Sequence, residues 1–195
     1  MSNYEIRLTA RENLKGNWLM ATLAFFIISI TGIVLSSFLE FIPILGSILS
    51  IIISLILSKA IFCLSLSISN TKTVKFDAIL DGKKGLLNYF LASILVTIFT
   101  ILWSLLLIIP GIIKAFAYSQ TFFILSENPE MSPLEAIKKS STMMDGYKLD
   151  FFWLQLSFIG WFLLSALTIG IGFFFLLPYM HVSYANFYKK VSKNI

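Results

Sequence analysis

The chain has 195 residues, of which 57% are hydrophobic, 15% aromatic and only 13% charged. Soluble domains average about 25% charged and 45–50% apolar residues, so a soluble fold of this length has nowhere to bury so much Leu, Ile and Phe, whereas lipid accommodates it. The net charge of +5 sits at the edges of apolar runs and not on one basic face, which argues against nucleic-acid binding.

A helix crossing a hydrocarbon core of roughly 30 Å needs about 20 apolar residues. A first helix, over about 3–16, is amphipathic: Ile6, Ala10, Leu14 and Trp18 recur at i, i+4 spacing, beside a basic stripe of Arg7, Arg11 and Lys15. This predicts a helix lying in the headgroup layer with its basic stripe toward anionic lipid. Six transmembrane helices are then expected, over about 18–39, 45–69, 86–109, 112–125, 151–169 and 172–188. The third is stopped by Pro110-Gly111, the fourth is short and weakened by Lys114 and Gln120, and the sixth is interrupted by Pro178. Between the fourth and fifth, Ser132-Pro133-Leu134-Glu135 reads as a capping box with proline in the first turn. Leu134, Ile137, Ser141 and Met144 then share a face, and Asp145-Gly146 ends the helix.

With six spans, Arg7, Arg11 and Lys15, then Lys72, Lys75, Lys83 and Lys84, then Lys138, Lys139 and Lys148, then Lys189, Lys190 and Lys193 all fall on one side. The positive-inside rule makes that side, and both termini, cytoplasmic. The opposite links, at Glu40 to Pro43, Pro110-Gly111 and Gly170 to Gly172, are short enough to make three antiparallel hairpins. Each hairpin follows a cytoplasmic amphipathic segment ending near a glycine: Gly16, Gly82 or Gly85, and Gly146. The expected fold is therefore an all-α membrane protein, a single integral membrane domain over 1–195. The first residues are too charged for a signal peptide, and the first apolar run is long enough to span uncleaved. The preference for Ile, Lys, Phe and Asn fits an AT-rich bacterial genome, so the expected location is a bacterial inner membrane.

Polar residues inside the apolar runs are the candidates for function. Ser47, Ser50, Ser54, Ser58, Ser65 and Ser69 form one stripe, and Ser93, Thr97, Thr100 and Ser104 another. Such stripes either let helices approach closely or line a polar path. Lys59 lies mid-span, where a charge costs a few kcal/mol on insertion scales. It should face the bundle, and no acidic residue stands at its depth by sequence. His181, near Tyr179 and Tyr184 with Asn186 beyond, is either a relay or ligand group or a histidine hydrogen-bonded to a neighbouring helix. With one histidine and one cysteine, Cys63, the chain offers no intrachain disulfide and no zinc set. No cofactor is expected. Trp18, Trp103, Trp153 and Trp161 fall mostly near span ends, as aromatic belts do.

Several motifs resemble those of the domain of unknown function 975 family. They are Pro110-Gly111-Ile112-Ile113-Lys114, Tyr118-Ser119, Glu127-Asn128-Pro129, Ser132 with Glu135-Ala136-Ile137 and Ser140, and Met144 with Gly146. They continue through Leu156-Ser157-Phe158-Ile159-Gly160-Trp161, Gly170-Ile171-Gly172, Pro178-Tyr179 and Phe187-Tyr188. Ala10-Arg11 and Leu14-Lys15-Gly16-Asn17-Trp18 also fit, whereas residues 22–90 match only in hydrophobicity. The resemblance implies a multi-pass bacterial membrane protein, with a more distant similarity to the membrane domain attached to some glycerophosphodiester phosphodiesterases. It transfers no catalytic residue.

Residues and resemblance together suggest a non-enzymatic membrane protein, an envelope accessory, scaffold or protective factor. Its contact segment would comprise Glu127, Asn128, Pro129, Ser132, Glu135, Lys138 and Lys139, and its partners would be anionic lipid headgroups and a membrane protein or a second copy. The alternative is a small-solute or ion transporter with a polar path near Lys59, His181 and Tyr179. A lipid-modifying enzyme is disfavoured, because Glu127, Glu130, Asp145 and Asp150 have no histidine in the same region.

Overall fold

The computed structural model describes residues 2–39, 41–42, 44–75, 77 and 85–193, which contain ten α-helices and no strand. They are α1 Asn3–Leu14, α2 Trp18–Leu39, α3 Leu45–Thr71, α4 Leu86–Leu106, α5 Ile108–Tyr118, α6 Thr121–Glu127, α7 Pro133–Met143, α8 Lys148–Leu156, α9 Ile159–Leu167 and α10 Ile171–Ser192. Glu40, Pro43, Gly82, Lys83 and Lys84, which figure in the expected links and charge pattern, lie outside the described residues.

Among the described residues, five segments are long and apolar enough to cross a membrane: Trp18–Leu39, Leu45–Thr71, Leu86–Leu106, Ile108–Glu127 and Lys148–Leu167. The expected sixth span, α10, is a continuous helix through Pro178, but it carries His181, Asn186, Lys189 and Lys190 and is not among the five. The boundaries of the third and fourth spans also shift. α4 ends at Leu106, the extended residue Leu107 makes the turn, and α5 starts at Ile108. Pro110 therefore opens α5 instead of stopping α4, because a first-turn residue has no intrahelical partner for its N–H to lose. The fourth segment breaks at Ser119-Gln120 into α5 and α6, and the fifth at Ser157-Phe158 into α8 and α9.

α2 packs along α3, α4 along α5 and α9 along α10. At the α4–α5 pairing, a Cβ on Gly111 would lie 2.7 Å from the Ser104 Cα, so glycine lets the two backbones close up there. α10 is the central element and packs against α1, α2, α3 and α9. Its buried face includes Leu176, Tyr179, Val182, Ala185 and Phe187. Ile33, Phe38, Leu105, Leu106 and Leu167 are exposed on the outside, as side chains facing lipid would be. Gly16, Gly85 and Gly146 all take positive φ (83°, 60° and 78°), and each lies at most two residues before α2, α4 or α8. The same backbone conformation, which costs other residues energy, thus recurs before three helices.

The short amphipathic helices form where the periodicity places them, but they are embedded in the bundle. α1 buries Ile6, Ala10, Asn13 and Leu14 against α3 and α10. Arg7 donates to the Ser157 carbonyl and Arg11 to the Tyr179 hydroxyl, while Arg11 and Lys15 remain exposed. α7 begins with the expected capping box, Ser132 and Glu135 bonding reciprocally. Its buried face is Ala136, Ile137, Ser140 and Met143, continued by Met144, while Leu134 is 59% exposed. The face is rotated from the expected one because α7 packs against α4, α5 and α6 at once and not on a flat interface.

Candidate functional site

Lys59 is buried at the middle of α3, only 1% exposed. Its ammonium lies 6.0 Å from the ring centroid of Tyr89 at the start of α4, a weak cation–π distance. The Tyr89 hydroxyl in turn shares a 2.9 Å hydrogen bond with Ser58. The loop after α6 is held against the start of α4, where the Asn88 side chain donates to the Pro129 carbonyl at 3.1 Å.

His181 sits elsewhere, among the rings of Phe25 (5.6 Å), Phe62 (6.2 Å) and Tyr184 (6.2 Å). Its Nδ1 is buried and has no hydrogen-bond partner among the described residues. It lines the floor of an open groove of about 530 Å³ between α2 and α3, along with Ser29, Gly32, Ser36, Ser54 and Ser58. Among the described residues, no three His, Cys, Asp or Glu side chains converge on one point. The two hydroxyl stripes do not line a common path. Ser54 and Ser58 face α2 across this groove, whereas Ser104 packs on Gly111 in the α4–α5 pair. Ser50, Ser54, Thr97 and Ser104 donate to carbonyls four residues back along their own helices.

Tyr179 belongs to a third setting. Its hydroxyl accepts a 3.1 Å hydrogen bond from Arg11 Nε. The Arg11 guanidinium stands 5.3 Å from the ring centroids of both Tyr179 and Trp161. Trp18 and Phe158 close on the same tyrosine ring at 6.1 and 5.3 Å. Lys114, also inside an apolar segment, lies 4.8 Å over the Trp103 ring across the α4–α5 pair.

The proposed contact segment divides in two. Glu127 accepts a 2.6 Å bond from the Tyr188 hydroxyl, and the Asn128 N–H is tied to the Ile124 carbonyl, so the first part is fastened to the bundle. Ser132, Glu135, Lys138 and Lys139 are exposed. Hydrogen bonds from the Ser132 hydroxyl and backbone hold the Glu135 carboxyl below the usual carboxylate range.

Two polar arrangements have no distinct sequence signal. Asn13 Nδ2 donates to Asn186 Oδ1 at 3.2 Å, and the Ser69 hydroxyl donates to the same oxygen at 2.6 Å, which joins α1, α3 and α10 in the interior. Asn186 and Ser69 each fall on a recognisable polar position, but nothing in the spacing pairs them with Asn13. Ser140 of α7 accepts from the Gln120 N–H and donates to the Ala117 carbonyl, bridging the break between α5 and α6.

The all-helical architecture of the described residues, with its apolar exterior and several segments of membrane-crossing length, is that of a membrane protein. Residues 105–195, from the end of α4 through α10, match the family model described as protein of unknown function (DUF975). The match takes in His181, Tyr179 and the whole contact segment. Lys59, Arg11 and the N-terminal motifs that share the resemblance lie outside it. No curated protein and no solved structure matches the chain.

Proposed function

We propose that this chain is a non-enzymatic accessory or scaffold protein of a bacterial inner membrane, inserted with both termini in the cytoplasm. The observation behind this reading is that Lys59 lies near Tyr89, His181 among Phe25, Phe62 and Tyr184, and Tyr179 against Arg11, where a catalytic or coupled transport site needs such groups to meet one another. The orientation rests on the one-sided lysines and arginines. The working surface is the outer face of α7, where Lys138 and Lys139 are exposed while Ser140 and Ile137 anchor the opposite face in the bundle. A charged face held rigidly from behind suits a membrane-protein partner or a second copy. The test is purification of the tagged protein in mild detergent. A stoichiometric partner or dimer that Lys138→Glu with Lys139→Glu dissociates supports the reading, and a monodisperse monomer at all concentrations overturns it.

The groove between α2 and α3 favours a second reading, transport of a small solute, because it gathers serine hydroxyls beside His181, among them Ser58, the neighbour of Lys59 in the chain. Proteoliposomes decide this one. Solute flux abolished by Lys59→Ala in a folded protein supports it, and flux indifferent to Lys59 and His181 removes it.

A further inference from the structure

Arg7 and Arg11 are one turn apart on α1, and the groups that they meet on the following chain, Ser157 and Trp161, have the same four-residue spacing. Arg7 Nη1 donates to the Ser157 carbonyl at 3.4 Å, and its Nε is buried without a hydrogen-bond partner among the described residues. Arg11 is anchored through Nε to Tyr179, which leaves its terminal nitrogens available beyond the two rings. The described ion pairs, Lys148–Asp145 and Lys190–Asp150, involve neither arginine. Among the described residues, neither guanidinium is in an ion pair with a carboxylate.

Beside Arg11 opens a groove of about 340 Å³ walled by Trp18, Trp161, Phe175 and Leu176. It narrows at Gly172, where a Cβ would come within 2.7 Å of Ser165 on α9. Trp161 is 41% and Phe175 48% exposed. Leu164 and Ile171, one helical turn from them, extend the same apolar side outward. The groove is therefore cationic at one end and continuous with a lipid-facing surface along its length.

We propose that this is a headgroup site for an anionic phospholipid. The Arg11 terminal nitrogens take phosphate oxygens, for which a planar guanidinium is geometrically matched. Tyr179 fixes the guanidinium plane, Arg7 adds charge, and one acyl chain follows the groove toward Gly172. The indoles of Trp18 and Trp161 occupy the glycerol level, as interfacial tryptophans do. A soluble phosphate ester would use the arginines but has no need of an apolar groove. The proposal rests on the membrane reading alone and not on the scaffold reading, since a lipid site neither requires nor excludes a protein partner.

The test uses quenching of tryptophan fluorescence in the full chain, reconstituted in nanodiscs with brominated phosphatidylcholine or brominated phosphatidylglycerol. The expected result is a preference of roughly fivefold for phosphatidylglycerol. Arg11→Gln should bring it near unity, and Lys15→Gln, on the exposed side of the same chain reversal, should leave it unchanged. Equal quenching by the two lipids in the unmodified protein overturns the proposal, whether or not the Arg11 variant folds. A preference that survives Arg11→Gln also overturns it. Relief of quenching by glycerol 3-phosphate but not by chloride at equal ionic strength would assign the site to a soluble phosphate instead, against the lipid.

Discussion

The hydroxyl of Ser140 completes the backbone of a helix to which it does not belong: it accepts the Gln120 N–H at 3.2 Å and donates to the Ala117 carbonyl at 2.8 Å. The break between α5 and α6 leaves those two groups without their usual helical partners. In lipid no water is at hand to satisfy them. Inserting α7 at this point makes the break tolerable, and the break in turn makes room for α7.

Ser140→Ala should therefore destabilise the fold by about 1–3 kcal/mol, since it leaves two buried backbone groups unpaired. Thermal unfolding in detergent measures this. An unfolding midpoint equal to that of the unmodified protein would show that the bridge contributes nothing.

Gly85 and Gly146 make a matched pair. Both have positive φ, but a Cβ on Gly85 would sit 2.2 Å from the Pro129 carbonyl oxygen, whereas one on Gly146 meets nothing within 4 Å. Gly146→Ala should show only the left-handed penalty of about 1–2 kcal/mol. Gly85→Ala should cost more, because the loop bearing Pro129 and Glu130 must move. The comparison is by yield of monodisperse protein and by midpoint, and equal effects would contradict the close approach.

Asn186 and Asn13 should behave as a coupled pair. Asn186→Ala removes the acceptor shared by Asn13 and Ser69, at a cost of about 1–3 kcal/mol. A double-mutant cycle with Asn13→Ala should return a coupling of about 0.5 kcal/mol or more. Additive effects would mean that the two side chains act independently.

At α7 the capping box is acid-sensitive. The Glu135 carboxyl is held below its ordinary value by Ser132, so its contribution is complete above the unfolded carboxylate pKa. It is lost as pH falls through the lower folded value. The difference in midpoint between the unmodified protein and Glu135→Gln should shrink toward zero in acid, and a difference that grows there would reverse the assignment. Ser132→Ala, which removes the capping hydroxyl, should cost about 1 kcal/mol.

Much of the architecture is legible in one dimension. The 18–39 and 45–69 runs become α2 and α3 nearly as read, because a long uniform apolar run has one outcome in lipid. The Ser132–Glu135 box and the positive-φ glycines Gly16, Gly85 and Gly146 are equally local, since each depends on the backbone of a few neighbouring residues. Pro110 does not stop a helix, because its effect depends on whether it lies in the last turn of one helix or the first turn of the next, and the turn at Leu107 decides that.

Sequence alone also singled out Lys59, His181 and Tyr179 as polar groups in apolar surroundings, but it gave no information on what surrounds them. That depends on which helix faces which, and thus on contacts between residues far apart in the chain. Tyr179 meets Arg11 across 168 positions and Asn186 meets Asn13 across 173. Composition and periodicity determined that the chain is helical and belongs in lipid, because the transfer of apolar side chains acts residue by residue. Only the tertiary structure decided what stands around each polar candidate and that Arg11 of α1 meets Tyr179 beside an aromatic groove. Inside a bilayer, helix pairing is set by close packing and hydrogen bonds, and hydrophobicity does not specify these.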